Sequence, residues 1–312
     1  MCGIVGLMIK KPALRGHLGE WALPMLVGMT ERGPDSAGIA VFTEPVAAGH
    51  KKLSACAPAG FEWDRVRRHF GDLPAPADDP AAPRQKGQAA LEIDTKANHA
   101  VITTTLDPIR MRESLKHEFP ELRVLSAGRQ IDLYKDIGSP ASIAERYGLQ
   151  GFAGSHLVAH TRMATESSVT VENAHPYAAG EDWCLVHNGA LSNPGGLRRK
   201  LMPLGIDFDG DCDTEGACRF LEWRMREGDS LEQALHKGFD ELDGFYTFLM
   251  GTADAMAIVR DSFACKPALV AETDDWVAIA SEYRSLAHLP GVEHAHLFEP
   301  DPEKIYVWRA DA

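Results

Sequence analysis

The opening heptapeptide, Met1-Cys2-Gly3-Ile4-Val5-Gly6-Leu7, constrains this chain more than any other stretch. A cysteine stands second, directly before an apolar, glycine-punctuated run that reads as a buried strand over residues 2–9. Removal of Met1 would put a thiol and a free α-amine on one residue, held at the end of a strand fixed in the core. An α-amino group titrates near about 7.7–8.0 and a free thiol near about 8.5, so such a residue carries a nucleophile and a base together close to neutral pH. The plain alternative is a small apolar residue that starts a strand. Position alone does not separate the two; the segments downstream do.

Composition narrows the classes. With 45% hydrophobic residues in a chain of 312, a substantial core is available for one large domain or two modest ones. Its 32 basic against 45 acidic residues leave a formal charge of −13, which argues against nucleic acid or an anionic membrane as the main partner. No stretch approaches the roughly 18–20 consecutive apolar residues of a membrane span. The six cysteines include no C-x-x-C pair, and the apolar start runs into Lys10-Lys11 with the charge on the wrong side for a signal peptide. A reduced, cytoplasmic protein is expected. Cys212 and Cys218 stand six apart without a second pair, a poor fit to structural zinc, so no metal site is expected.

Residues 37–42 read as a second buried strand, with a helix over 18–31 between the two and a Gly-Pro turn closing it. The character changes over about 43–150. Residues 72–88 are rich in Pro, Ala and Asp and look like a linker. After them the pattern predicts a strand at 99–105, a helix at 109–118 and a strand at 122–135, a small α+β insertion of its own. Strands are expected again at 156–161 and 183–187, helices at 194–204, 213–226 and 230–242, then strands at 245–251, 255–260, 268–272 and 276–280. Strands, then helices, then more antiparallel strands point to sheets packed on helices and away from an alternating βαβ order.

Four polar segments fall at the ends of these elements: Arg32-Gly33-Pro34-Asp35-Ser36, His160 to Thr165, His187-Asn188-Gly189 and Asp211 to Glu215. Each has a dull explanation alone. Asn188-Gly189 is a common turn dipeptide, and Asp213-Thr214-Glu215 suits the start of the following helix. In this order behind a cysteine at position 2, they resemble the class II glutamine amidotransferases, a family of N-terminal-nucleophile hydrolases. The resemblance covers residues 1 to about 42 and 151 to about 285, including Arg260-Asp261 and Ala280-Ser281-Glu282.

That resemblance implies a four-layer αββα fold of α+β class with two stacked antiparallel sheets, a single domain over 1–312 that carries the 43–150 insertion. It implies that Cys2 attacks the glutamine carboxamide, with Asn188 and Gly189 as the oxyanion hole. Arg162 would hold the substrate α-carboxylate in a planar fork, Asp213 the α-ammonium, and Thr165 would add a hydrogen bond. Arg32 would organise the loop over the nucleophile. Met163, Glu166 and Ala264 depart from the commoner family residues, Ala264 replacing a glycine expected in an Arg-Asp-x-x-Gly turn. His156, His160, His175 and His187 are not needed by this chemistry and are expected to be structural.

The heptapeptide, the Thr30 to Gly38 segment and the long insertion together are most similar to the small glutamate-synthase-like subunits of the GlxB type, which include the amidotransferase subunit of N-methylglutamate synthase. No P-loop, dinucleotide-binding glycine cluster or phosphoribosyl signature is seen. A separate synthase is therefore expected to use the ammonia, with FMN and an iron–sulfur cluster on partner subunits that resemble the central and β-helical domains of glutamate synthase, and no cofactor on this chain. A non-catalytic assembly subunit is the alternative. An amidase for an apolar acyl group is a third, opposed by Arg162 and Asp213, which it would leave unpaired.

Overall fold

The apolar run after Cys2 becomes β1 (Gly3–Ile9), every residue of it buried, in the computed structural model, which describes residues 2–71, 91–164 and 168–310. Its side chains divide by parity. Val5, Leu7 and Ile9 turn towards α1 (Leu18–Val27), whereas Ile4 and Met8 turn towards a second sheet. A strand covered on both faces needs an unbroken apolar run, which the heptapeptide supplies. α1 is shorter than the helix expected over 18–31. Its end is closed by the Gly28 N–H on the Pro24 carbonyl at 2.9 Å, and a turn carries the chain into β2 (Ser36–Phe42).

β3 (Lys51–Cys56), α2 (Asp64–Gly71), β4 (Leu91–Lys96), β5 (His99–Thr104), α3 (Pro108–Glu118) and β6 (Arg123–Gly128) follow. Their strands form a separate four-stranded sheet in the order β4-β5-β3-β6, with a core of its own around Leu53, Val66, Phe70, Ile102 and Met111. The linker-like 72–88 stretch lies outside the described residues. β7 (Ile131–Ile137), α4 (Pro140–Tyr147) and β8 (His156–Arg162) then return to the main body. β7 pairs with β2, and α4 packs with α1. The span expected as an insertion at 43–150 thus divides near Arg129: its first part builds the extra sheet and its last part completes the main one.

The strand expected at 122–135 is two strands, β6 and β7. Asp182 pins the turn between them, its carboxylate accepting the N–H groups of Arg129, Gln130 and Ile131 at 2.8, 2.8 and 2.9 Å.

The rest of the chain supplies β9 (Tyr177–Ala178), β10 (Trp183–Leu191), α5 (Pro194–Leu201), α6 (Asp213–Arg226) and α7 (Leu231–Glu241). It closes with β11 (Gly244–Thr252), β12 (Ala255–Arg260), β13 (Leu269–Glu272), β14 (Trp276–Ala280), β15 (His296–Phe298) and β16 (Tyr306–Arg309). Among the described residues, a seven-stranded sheet runs β15-β13-β14-β1-β8-β2-β7 and a five-stranded sheet runs β16-β12-β11-β10-β9. Phe42 and Val158 of the first meet Val186, Leu249, Met256 and Ile258 of the second in an apolar layer, which His156 and His160 of β8 also enter. Helices α1 and α4 cover one outer face; α5, α6 and α7 cover the other. The four layers are αββα, with the extra sheet beside them.

Candidate active site

The site grows from the register of two central strands. Gly3 of β1 stands opposite Thr161 of β8, so one further residue on each strand brings Cys2 beside Arg162. The Cys2 thiol lies 3.9 Å from the Met163 carbonyl. The turn after α1 wraps the same strand end closely. A Cβ on Gly33 would run into the Thr161 main chain and lie 2.5 Å from the Arg162 nitrogen, so only glycine fits. Asp35 accepts the Ala164 N–H at 2.8 Å. Arg32 donates from Nε to the Cys2 carbonyl at 2.9 Å and pairs with Glu282 at 3.0 Å. It therefore fixes the main chain of the nucleophile candidate.

The second sheet brings Asn188 and Gly189, both on β10. Asn188 Nδ2 donates to the Cys2 carbonyl at 3.2 Å and to Ser281 Oγ at 3.1 Å, and Ser281 Oγ also accepts the Ile4 N–H at 3.0 Å. On its other side, Asn188 Oδ1 faces His160 Nε2 at 3.2 Å, and the same nitrogen lies 3.1 Å from the His187 carbonyl. Two acceptors around one ring nitrogen require the proton there, so His160 dictates which way the Asn188 amide points.

Gly189 has a φ of +143°, and a Cβ there would run into the Phe245 carbonyl and lie 2.8 Å from His187 Nε2. Strand alternation settles where its N–H points. The His187 carbonyl turns to His160, and the Leu191 N–H turns to Asp213 at 2.9 Å. Opposite Gly189, Tyr246 spends its own N–H and C=O on Asp261. Gly189 shares the parity of His187 and Leu191, so its N–H faces the same edge of β10, away from β11.

Asp213 opens α6, where a negative charge is favoured by the helix dipole. Its second oxygen accepts the Thr214 N–H at 2.7 Å. The Thr214 hydroxyl sits between His175 Nε2 and His187 Nδ1, each at 2.9 Å, and 3.3 Å from Asp213. Burial pushes His160 down to about 3 and lowers His175 and His187 as well. The three rings are therefore neutral at working pH, held as struts and not as acids or bases. The ring nitrogens left without partners, His160 Nδ1, His175 Nδ1 and His187 Nε2, are then lone pairs instead of stranded donors. His156 lies apart, stacked on Phe42 and bonded to the Thr252 carbonyl at 2.9 Å.

Of the residues singled out in the sequence, Cys2, Arg32, Asn188 and Gly189 meet at one place, with Arg162 at the adjoining strand end and Asp213 on the same β10 edge. The Arg162 guanidinium is buried and reaches the Ser168 carbonyl at 3.3 Å. Thr165 and Glu166 lie outside the described residues. Cys212 sits beside Asp213, whereas Cys218 is buried within α6. Ala264 adopts a φ of +47°, the conformation the expected glycine would take without strain. Sequence reasoning assigned no role to His160, Thr214, Ser281 or Glu282. The signals were only the segments that hold them: His160 to Thr165, Asp211 to Glu215 and Ala280-Ser281-Glu282.

The layer order, with a cysteine at the head of a central strand, is that of the N-terminal-nucleophile hydrolases. A glutamine amidotransferase domain family matches residues 160–288. The chain is 40% identical over 309 residues to the glutamine amidotransferase-like protein GlxB of Rhizobium meliloti, covering 99% of this chain and 98% of that one. It is 27% identical to a putative glutamine amidotransferase of Methanothermobacter thermautotrophicus, over 98% and 99% of the two chains. Among solved structures, the glutamine phosphoribosylpyrophosphate amidotransferase of B. subtilis superposes with a TM-score of 0.58 at 18% identity, over 99% of this chain and 49% of that one. The chain belongs to the class II glutamine amidotransferase family, and within it to the GlxB type.

Proposed function

We propose that this chain is a glutaminase subunit that releases ammonia from glutamine through Cys2. With Met1 removed, the Cys2 sulfur attacks the carboxamide carbon while its own α-amine takes the thiol proton. The carbon–nitrogen bond breaks, the amine passes the proton to the departing ammonia, and a γ-glutamyl thioester remains. Water, relieved of a proton by the same amine, attacks the thioester; glutamate leaves and the thiol is restored. Asn188 Nδ2 and the Gly189 N–H receive the oxyanion, the substrate oxygen taking the place of the Cys2 carbonyl on the amide. Arg162 and Thr165 bind the α-carboxylate and Asp213 the α-ammonium, while Arg32 holds Cys2 in place.

The observation that carries this reading is the β10 edge. Asn188, oriented by His160 and bonded to Cys2, the Gly189 N–H and the Asp213 carboxylate follow one another along it. The test is hydrolysis of labelled glutamine by the purified protein, alone and with its partner. Glutamate and ammonia are expected, and continued inactivity within a verified complex contradicts the reading.

The consumer of the ammonia is placed on separate subunits similar to the FMN- and iron–sulfur-bearing and β-helical domains of glutamate synthase, in a complex of the N-methylglutamate synthase kind. What supports this setting is the resemblance of the Met1 to Leu7 and Thr30 to Gly38 segments to the GlxB-type subunits. Isolation of the native complex should bring down flavin- and iron-containing chains; a complex with neither counts against this setting. No helix among the described residues is long and apolar enough to cross a membrane, and a cytoplasmic location is proposed with the complex.

A further inference from the structure

Away from the β10 edge, the extra sheet meets the main body around a cavity of about 150 Å³. In a chain with a formal charge of −13, its lining is inverted in sign: Arg112, Lys116, Arg123, Lys135 and Arg219 against Glu172, Asp209 and Glu215. The carboxylates are already engaged. Glu172 lies 3.7 Å from Arg123. Asp209 pairs with Arg219 at 3.2 Å, and Glu215 lies 3.5 Å from Arg219 and 3.7 Å from Arg198. Arg112, half-buried on α3, has no hydrogen bond or close ion pair with any described residue. Burial and then the like charge of Arg219 lower its affinity for its proton, against a smaller opposing pull from Asp209, which is itself paired with Arg219. The Lys135 ammonium is buried against the carbonyls of Ala174 at 2.8 Å and Glu172 at 3.3 Å and the ring of Tyr177, and burial pushes it down to about 8.

The cations form two groups. Arg112 and Arg219 come from α3 and α6, close enough to repel each other; Lys135 and Arg123 come from β7 and β6 and share Glu172. Leu122, Val124 and Leu125 add an apolar wall. We propose that this cavity is a binding site for a small dicarboxylate of four or five carbons, one carboxylate taken by Arg112 and the other by the Lys135 end. A guanidinium with no hydrogen-bonded carboxylate of its own, sharing Asp209 with a second guanidinium, is the arrangement that a bidentate carboxylate stabilises. A cavity of about 150 Å³ admits a chain of that length.

The site connects to the glutamine pocket through Glu215. That carboxylate accepts the N–H groups of Asp209 and Gly210 at 2.8 and 2.9 Å, and Asp213 begins the same helix two residues earlier. A dicarboxylate that draws on Arg219 loosens the hold of Glu215 on this loop and alters the KM for glutamine. This coupling rests on the glutaminase reading; the binding does not.

Calorimetry with glutarate and, separately, inorganic phosphate, at constant ionic strength, tests the proposal on the full chain. The wild type should bind glutarate saturably at one site, and Arg112→Gln should weaken that binding by roughly tenfold or more, the worth of one bidentate charged pair. Without anion, Arg112→Gln should melt at the same temperature as the wild type or higher, because it removes a repelled charge. No saturable glutarate binding, equal binding by the variant, Arg112-dependent binding of phosphate alone, or a lower melting temperature for Arg112→Gln each overturns the proposal. A glutamine KM unchanged by saturating glutarate overturns the coupling.

Discussion

The two sides of α6 are built on opposite terms. At its N-terminal end the helix meets β10, where neutral rings orient the groups of the site: His160 bonds Asn188, and two further histidines hold Thr214 beside Asp213. Further along, at Arg219, it faces the extra sheet across a cavity where like charges lie close and Arg112 has no close ion pair among the described residues. The first region is set before any ligand arrives, with donors already aimed, as transition-state stabilisation requires. The second is complete only with an anion in it. On the proposed readings, one helix thus carries a preorganised reaction site and a site that waits for its ligand.

The comparison breaks first if the reaction edge is not a reaction edge. Cys2→Ala should lower kcat for glutamine by roughly 10³-fold or more, the scale of losing a nucleophile, measured as glutamate release. Full activity in this variant removes Cys2 from the chemistry. Asn188→Ala should cost about 10²–10³ in kcat, or roughly 2.7–4 kcal/mol, with little change in KM. A loss confined to KM would make Asn188 a ground-state contact.

Acid sharpens the account of the histidines. Burial holds His156 and His160 at about 3 in the folded state, against about 6.5 when unfolded. The unfolded chain therefore binds more protons between these values, and stability falls as pH drops from about 6.5 towards about 3. Above 6.5 the contribution is fully present. By pH 5 the loss should reach about 2 kcal/mol per histidine, read from denaturant midpoints at pH 7.5 and 5. A flat stability over that range contradicts neutral, buried rings.

The smallest effect isolates a positioning role. His160→Ala should lower kcat about tenfold, the worth of one hydrogen bond that orients the amide, with KM for glutamine nearly unchanged. His160→Gln, whose side-chain N–H reaches the same place, should recover most of the loss. Equal defects in both variants would reduce His160 to packing.

Much of this was legible in the chain because it rests on local patterns. Continuous apolar runs gave β1, β2, β12 and β14, since strands covered on both faces permit nothing else. Arg162 and Asp213 stood out because each ends or begins an element; Asn188-Gly189 read as a turn after a strand at 183–187, whereas β10 runs on through both to Leu191. What stayed hidden depends on partners distant in sequence. The break between β6 and β7 is fixed by Asp182, some fifty residues on. Ser281 gains its role only because β14 lies beside β1 and returns it to Ile4 and Asn188. The missed helix α4 had local signals, Ser139 capping its start and Gly148 in the left-handed conformation at its end, within a span that read as a separate insertion. His160 looked merely structural because the need it meets, the orientation of Asn188, appears only when two sheets are stacked.

The most direct measurement is intact and peptide mass spectrometry of the protein quenched in acid during turnover of glutamine. The account predicts a chain lighter by Met1 and a glutamyl adduct on the N-terminal Cys2 peptide, absent from Cys2→Ala. Met1 retained throughout, with no adduct while glutamine is still consumed, would contradict it.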